Sequence, residues 1–190
     1  MKSVLISIQP YWVFLIIAET MGWSIGKEKT IEVRKNYPKD ENWDKVAKVY
    51  CSKNRKSFAK IPKEYQPFME QFLGKVVGEF YCNKVENIEI RHFTVLGHEN
   101  RYTAVGENPD YQWLAKSCLS YDEVVNYGKL AALFGWHISN LVIYDKPKDL
   151  DYFRKPIDCH RGKDRENCKG CWDCEIKRPP QSWCYVETKG

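Results

Sequence analysis

The sequence of 190 residues contains no long hydrophobic run, no internal repeat and no low-complexity tract. A membrane-spanning helix needs about 20 consecutive apolar residues, so we predict no membrane partner. Hydrophobic residues make up 43% of the chain and charged residues 29%. This composition is typical of a folded globular protein and excludes a disordered chain, a collagen and a coiled coil. The length predicts a single domain over residues 1–190.

The N-terminal residues lack the features of a secretory signal peptide. Gln9 and Pro10 interrupt the first apolar stretch, and no small-x-small cleavage motif follows. We instead predict a buried strand over residues 3–9 and a helix over residues 11–20. Pro10 then stands at the start of the helix, where a missing N–H group costs nothing.

The 8 cysteines are not spaced like a disulfide framework. Three stand singly in apolar contexts and are predicted to pack in the core: Cys51, Cys82 and Cys118. Four others form a C-x8-C-x2-C-x2-C motif: Cys159, Cys168, Cys171 and Cys174. Two-residue gaps bring thiolates around one ion, so the motif predicts a structural zinc site (Zn2+) in a cysteine-rich insertion at residues 149–181.

Other interpretations of this cysteine motif stay open. His160 or Cys184 are substitutes for one ligand, an iron–sulfur cluster is an alternative to zinc, and reduced thiols without metal are a third possibility. A cysteine cluster without a signal peptide is typical of a protein from a reducing compartment, so we predict a cytoplasmic location.

Basic residues are concentrated early in the chain. The formal net charge is +5, but residues 27–63 carry 12 lysines and arginines against 5 acidic residues, a net charge of +7. Residues 64–110 carry 4 basic and 8 acidic residues. A basic segment of this kind is often only a solvated surface, yet it also suits RNA or single-stranded nucleic acid as a partner.

Hydrophobic periodicity and turn residues predict a mixture of strands and helices. The further strands are expected at residues 29–35, 45–52, 75–83, 85–90, 137–145 and 182–187. The further helices are expected at residues 62–72 and 120–134, the second opened by a Ser120–Glu123 capping box. Residues 52–60 are predicted to be a basic loop, residues 91–108 an irregular insertion, and Pro147 the end of a strand. This order favours an α+β fold, a small mixed or antiparallel barrel with helices outside it.

The strand at residues 29–35 carries the candidate site. Strand alternation places Thr30, Glu32 and Arg34 on one face, and Lys29 stands at the strand start, where a bulge would bring it to the same side. Arg34 suits a phosphate or carboxylate, Glu32 suits a base amino group or general-base catalysis, and Lys29 suits a base or an oxyanion stabiliser. The alternative is a surface strand with a Glu32–Arg34 ion pair, whose truncation costs little stability.

Three further residues are candidates for ligand contacts. The indoles of Trp12 and Trp136 suit base stacking, and His137 suits acid–base chemistry, although each residue type is more often found in a packed core.

These motifs together resemble the ASCH domain, a branch of the PUA-like superfamily. The resemblance rests on the opening strand that ends at Gln9-Pro10, on Lys29-Thr30-Ile31-Glu32-Val33-Arg34, on the capped helix and on Trp136-His137-Ile138-Ser139-Asn140-Leu141. It implies a PUA-like mixed β pseudobarrel with flanking helices and a cleft lined by the Lys29–Arg34 strand, and it adds Gln9 to the ligand-binding candidates. It also implies RNA or a nucleoside- or nucleotide-like small molecule as the ligand.

The resemblance leaves the activity open. ASCH proteins include modules similar to RNA-binding coactivators, amidohydrolases that act on N4-acetylcytidine, and ribonucleases. In the amidohydrolase branch the motif is Lys-Thr-Ile-Thr-Ile-Arg, with the Lys and the second Thr catalytic. Lys29 matches that Lys, whereas Glu32 replaces the Thr, and residues 111–121 lack the Glu that the branch places before its second helix. An interaction factor of a phage or mobile element is a third possibility.

Overall fold

The computed structural model describes residues 2–93, 101–106, 112–129, 131–156 and 174–188. The strands described are β1 (Ser3–Ile8), β2 (Ile31–Arg34), β3 (Val46–Cys51), β4 (Val76–Tyr81), β5 (Val85–Phe93), β6 (Arg101–Gly106), β7 (Leu133–His137), β8 (Ser139–Lys148), β9 (Phe153–Arg154) and β10 (Trp183–Thr188). The α-helices are α1 (Pro10–Ile17), α2 (Arg55–Phe58), α3 (Gln66–Glu70), α4 (Gln112–Ser117) and α5 (Tyr121–Gly128), and a 3-10 turn covers Leu150–Tyr152.

The strands form two sheets. One has six strands in the order β8-β4-β3-β1-β10-β9, and the other has four in the order β2-β7-β5-β6. The six-stranded sheet is mixed, since β1 runs parallel to β3 and antiparallel to β10. This architecture confirms the predicted α+β class with helices packed against mixed β-sheet.

The main core lies against one face of the six-stranded sheet. Alternate residues of β1, namely Val4, Ile6 and Ile8, point into it, whereas Leu5 points to the opposite face. Helix α1 is apolar on almost every side and is therefore buried in the main core. A second cluster, around Ile31 and Val33 of β2, packs between the four-stranded sheet and the helices α4 and α5.

One predicted loop and the end of one predicted helix are wrong. The predicted loop at residues 52–60 contains α2, because the Asn54 side chain accepts a hydrogen bond from the backbone N–H of Ser57 and caps a helical turn. The predicted helix at residues 120–134 ends at Gly128. Lys129 adopts a left-handed conformation with φ 50°, which stops the helix. Strand β7 begins at Leu133, within the range predicted to be helical.

The predictions for two strands also need correction. Part of the region expected to be irregular forms β-structure, because β5 continues to Phe93 and pairs with β6. Pro147 does not end its strand, and β8 continues to Lys148. Since β8 is an edge strand of the six-stranded sheet, a residue without an N–H group is tolerated there.

Among the helices that the structure describes, none is long and apolar enough to cross a membrane. Cys51 and Cys82 are buried, as predicted, and Cys118 is half-buried against the main core. Burial raises the pKa of the Cys51 thiol to about 12 and that of Cys82 to about 11, so both thiols pack as neutral side chains.

Candidate functional site

A cleft of about 450 Å³ opens where β2 approaches the junction of β1 and α1. One wall comes from α5, and Ser52 and Asn54, between β3 and α2, lie at another side. The polar or aromatic residues that line the cleft are Ser7, Gln9, Trp12, Lys29, Glu32, Arg34, Ser52, Asn54, Glu123, Tyr127 and Gln181. Five of these residues were predicted from the sequence as site residues: Gln9, Trp12, Lys29, Glu32 and Arg34. They lie up to 25 residues apart in the sequence.

Three charged side chains line this cleft as a buried cluster. The Glu32 carboxylate lies between the two cations, with Oε2 at 3.2 Å from Lys29 Nζ and Oε1 at 2.9 Å from Arg34 Nη2. The exposed fractions of these side chains are 2% for Lys29, 7% for Glu32 and 9% for Arg34. The cluster carries a net positive charge, which suits a ligand with anionic or electron-rich groups.

The local structure of β2 explains how the three side chains meet. Ile31 and Val33 point into the second core cluster, so alternation turns Glu32 and Arg34 to the opposite side. Lys29 precedes the strand, so strand alternation does not fix the direction of its side chain. Its ammonium donates hydrogen bonds of 2.8 Å to the carbonyl oxygens of Ile31 and Ser117, which fix it beside Glu32.

Arg34 ties the cluster to the six-stranded sheet. Its Nη2 donates to the carbonyl oxygen of Ser7 at 2.6 Å as well as to Glu32. Two buried atoms of the cluster, Glu32 Oε2 and Arg34 Nε, make no hydrogen bond within the described part of the chain. Leaving a buried polar atom such as Arg34 Nε without a hydrogen bond costs about 1–3 kcal/mol, whereas Glu32 Oε2 keeps its ion-pair contact with Lys29.

Aromatic rings flank the charged cluster. Trp12 is half-buried, and its ring lies 5.2 Å from Lys29 Nζ. Tyr127 of α5 is 39% exposed. Burial raises the pKa of the Tyr127 phenol above its ordinary value, and the charges of Arg34 and Glu32 act on it in opposite directions. The phenol therefore lies within electrostatic reach of the cluster.

The sequence did not reveal Tyr127 or Glu123 as site residues. Glu123 was recognised only as part of the capping box, which the structure confirms: Ser120 Oγ accepts from Glu123 N, and Glu123 Oε2 accepts from Ser120 N. Tyr127 follows Glu123 by four residues, so the two side chains lie on the same face of α5. The sequence spacing shows that Glu123 and Tyr127 share a face of the helix. Which face of α5 meets the cleft depends on contacts between residues that are distant in sequence.

Three of the predicted ligand-binding residues lie elsewhere. Thr30 does not line the cleft; its backbone N–H donates to Lys116 O and its carbonyl accepts from Ile138 N. Trp136 is fully buried in the main core and donates from its indole N–H to Asn36 O. A ring without an exposed face cannot stack on a base, so the stacking role predicted for Trp136 is wrong.

His137 lies on the far side of the four-stranded sheet from the cluster. It pairs in register with Ile31, whereas Trp136 pairs with Glu32, so His137 shares the face of Ile31. Its Nε2 lies 3.2 Å from Glu86 Oε2. The predicted cleft role of His137 is therefore wrong, because the register points its ring away from the cleft.

Most of the cysteine motif lies outside the described residues, which include neither Cys159, Cys168 nor Cys171. Cys174 is described and is buried. Within the described ranges, no group of three or more His, Cys, Asp or Glu side chains is arranged to hold a metal ion. The zinc site stays a prediction from the sequence.

Comparisons with known proteins address the fold. No family model and no curated protein matches the sequence. Among solved structures, the chain is similar to a crystal structure of a ZmASCH mutant from Zymomonas mobilis. The TM-score is 0.51 at 14% identity, over 98% of this chain and 89% of that one. The chain has the ASCH fold. A second crystal structure, of ASCH from the same organism, matches with a TM-score of 0.45 at 13% identity, over 97% of this chain and 87% of that one.

The ASCH fold confirms the predicted α+β architecture. The metal-stapled loop, which we predicted for residues 149–181, stays a prediction from the sequence.

Proposed function

We propose that this ASCH-fold protein binds RNA, or a nucleotide-like ligand, with one unpaired base in the cleft. The observation that carries the proposal is the Glu32 carboxylate, buried between Lys29 and Arg34 in the cleft lining. A carboxylate held in this way presents an acceptor for the amino group of a base. The adjacent guanidinium supplies donors for a base carbonyl or a phosphate.

The aromatic residues of the cleft suit the flat face of a base. Trp12 and Tyr127 both line the cleft, and stacking on an aromatic side chain contributes about 1–3 kcal/mol per base. Gln9, which is exposed at the start of α1, offers a further amide donor and acceptor. A base that enters this cleft must be unpaired, so the proposal favours single-stranded RNA over a duplex.

Binding of a short single-stranded oligoribonucleotide to a tyrosine variant tests the proposal. Tyr127→Ala removes a ring of the cleft, and we expect about a tenfold or greater loss of affinity because the base loses a stacking partner. Tyr81→Ala is the matched control, because Tyr81 is 38% exposed, nearly the same as Tyr127, and does not line the cleft. Equal affinities for the two variants and the wild type would contradict the proposal.

A second candidate function is hydrolysis of RNA or of a modified nucleoside, for which Glu123 is the favouring observation. Two carboxylates, those of Glu123 and Glu32, line the cleft. The Glu32 carboxylate is held between two cations. One carboxylate is then available as a general base toward water, and the cations are placed to stabilise developing negative charge.

Glu123→Gln separates hydrolysis from binding. A glutamine preserves the capping box, since it still accepts from the Ser120 N–H, but it cannot take a proton. If the protein hydrolyses an oligoribonucleotide or N4-acetylcytidine, this variant loses turnover and keeps binding. Asp122→Asn is the control, because Asp122 is an exposed acid of the same helical turn that does not line the cleft. Absence of hydrolysis by the wild-type protein would remove this candidate.

A further inference from the structure

The parallel strands β1 and β3 end side by side at the cleft. Ile8 of β1 lies beside Cys51 of β3 in the register, and each strand is followed by a helix, α1 or α2. The backbone N–H of Ser52 donates to the carbonyl oxygen of Ile8 at 2.8 Å and joins the two strand ends. Ile8, Gln9 and Ser52 all line the cleft. Because ligands commonly bind beyond the carboxyl ends of parallel strands, this junction is a candidate site for a ligand group.

Helix α1 begins at this junction with free N–H groups. Pro10 has no N–H group, and the N–H of Tyr11 donates to Ser57 Oγ at 3.1 Å. The N–H groups of Gln9 and Trp12 make no hydrogen bond within the described part of the chain. No acidic residue lies in the first turn of α1, so no side chain of the helix itself neutralises the positive end of its dipole. Free N–H groups at a helix N-terminus favour a bound anion such as phosphate.

Two buried side-chain atoms at the same junction are also unpartnered. The Nε atom of Arg34 and the Oγ atom of Ser52 are buried and make no hydrogen bond to any described residue, and the Arg34 side chain is only 9% exposed. Arg34 Nη2 donates to the carbonyl oxygen of Ser7 at 2.6 Å, which holds the guanidinium beside the end of β1. Backbone groups of alternate residues in an extended chain point to the same side, so the Gln9 N–H points toward Arg34. Since buried polar groups are normally hydrogen-bonded, these atoms indicate a site for an acceptor.

We infer that a phosphate group of the ligand binds at this junction. The groups that meet there are hydrogen-bond donors: the N–H groups of Gln9 and Trp12, the Ser52 hydroxyl and the Arg34 guanidinium. Phosphate oxygens are strong acceptors, and a guanidinium matches their geometry. The inference rests on the proposed function and deepens it, because it assigns a phosphorylated nucleoside, free or within a strand, rather than a bare nucleoside.

The charges around this phosphate site favour an anion. The Glu32 carboxylate is paired with both Lys29 and Arg34, so these three side chains together stay positive. The Glu123 carboxylate is held in the capping box of α5. Lys29 Nζ lies 5.2 Å from the ring of Trp12, which places a further positive charge beside the first turn of α1. The helix dipole and the charged cluster therefore act on a phosphate in the same direction.

The test begins with inorganic phosphate, which probes the site without a base. We expect a phosphate titration to shift the backbone amide resonances of Gln9 and Trp12 in 15N NMR spectra, and chloride at equal ionic strength to leave them in place. A second titration compares cytidine with its 3′- and 5′-monophosphates. At least one monophosphate should bind about tenfold or more tightly than cytidine, since hydrogen bonds to a charged group add to its affinity.

A pair of variants at Gln9 tests the backbone donor. The φ angle of Gln9 is −71°, which proline adopts without strain. Gln9→Pro and Gln9→Ala both remove the amide side chain, but only the proline removes the N–H group. We expect Gln9→Pro to bind inorganic phosphate about tenfold more weakly than Gln9→Ala, because it lacks one charge-assisted hydrogen bond.

Ser52→Ala tests the site without any change to the backbone. Its hydroxyl makes no hydrogen bond to a described residue, so the variant should keep the wild-type melting temperature and bind phosphate about tenfold more weakly. Ser139→Ala is the matched control, because Ser139 is also half-buried and does not line the cleft.

Several results would overturn the inference. Amide shifts of Gln9 and Trp12 that are the same with phosphate and with chloride would do so, as would equal phosphate affinities of the two serine variants. If cytidine binds and neither monophosphate binds more tightly, the phosphate site fails and the proposed function stands. If phosphate binds at Gln9 and Trp12 but no nucleotide or oligoribonucleotide binds, the proposed function fails while the phosphate site remains.

Discussion

Arg34 and Glu32 form an ion pair of 2.9 Å that is almost completely shielded from water. The two residues lie on the same side of β2, and the pair is joined by Lys29 on one side and by the Ser7 carbonyl on the other. The alternative that the sequence left open, a surface strand whose truncation costs little, does not describe this strand, because its polar face is a buried network. Because the network is buried, substitutions within it are expected to lower the free energy of unfolding.

Removing Arg34 is expected to destabilise the protein strongly. Arg34→Ala leaves the Glu32 carboxylate buried beside only one cation, and breaking a buried pair on one side costs about 3–5 kcal/mol. Arg55→Ala is the matched control, since the Arg55–Glu70 pair has a similar length of 2.8 Å with side chains 67% and 50% exposed. We expect that exposed pair to contribute about 0–1 kcal/mol. Equal midpoints of urea unfolding for the two variants would contradict the buried-pair account.

The capping box is expected to stabilise the wall of the cleft that α5 provides. Ser120→Ala removes the side-chain oxygen that accepts from Glu123 N and should lower the free energy of unfolding by about 1 kcal/mol. It also releases one anchor of Glu123, so ligand affinity should fall together with stability. Ser120→Asp keeps an N-cap acceptor and should restore stability. If urea denaturation shows no loss of stability for Ser120→Ala, the capping contribution is absent.

Acid sensitivity is expected at Glu79, on the six-stranded sheet. Burial raises the pKa of the Glu79 carboxyl, but hydrogen bonds from Lys48 at 2.7 Å and from Tyr144 at 2.5 Å outweigh it, so the net pKa lies below its ordinary value. A lowered folded-state pKa stabilises the protein above the unfolded-state pKa of about 4.3, and that stability is lost as the pH falls through the folded-state pKa.

Glu79→Gln should therefore flatten the loss of stability at low pH. The variant starts less stable at neutral pH because Lys48 loses its ionic partner, and the difference from the wild type should shrink between about pH 4.5 and more acidic values. Thermal denaturation across this range measures the effect. A difference that stays constant with pH would show that Glu79 contributes through packing alone.

The cysteine motif predicts about one zinc per chain. Elemental analysis of protein purified without chelator checks this prediction, and absence of both zinc and iron would contradict it. Cys168→Ser should abolish metal binding and leave the β-sheet core folded, because that core is built from residues outside the motif. Cys82→Ser is the control for a cysteine that packs in the core and belongs to no motif.

Local rules in the sequence predicted much of the fold. The Pro10 helix start, the capping box at Ser120 and the alternation of β2 are each determined by residues within one or two turns of chain. The same alternation correctly placed Glu32 and Arg34 together. These features depend little on distant contacts, which explains why they could be recognised.

Pairing between distant segments limited the prediction of the site. His137 follows Gly135 and Trp136 in sequence, but only the register of β7 against β2 shows that its ring faces away from the cleft. Tyr127 reaches the cleft because α5 packs against elements about 90 residues earlier in the chain. Register and helix orientation arise from tertiary packing, and a single sequence does not display either.

The most direct test of the proposed function is a crystal structure of the protein with a bound single-stranded oligoribonucleotide. We expect one base in the cleft, stacked on Trp12 or Tyr127, with a polar group of that base within hydrogen-bond distance of Glu32 or Arg34. An oligoribonucleotide bound elsewhere on the protein, with the cleft unoccupied by any base, would contradict the account.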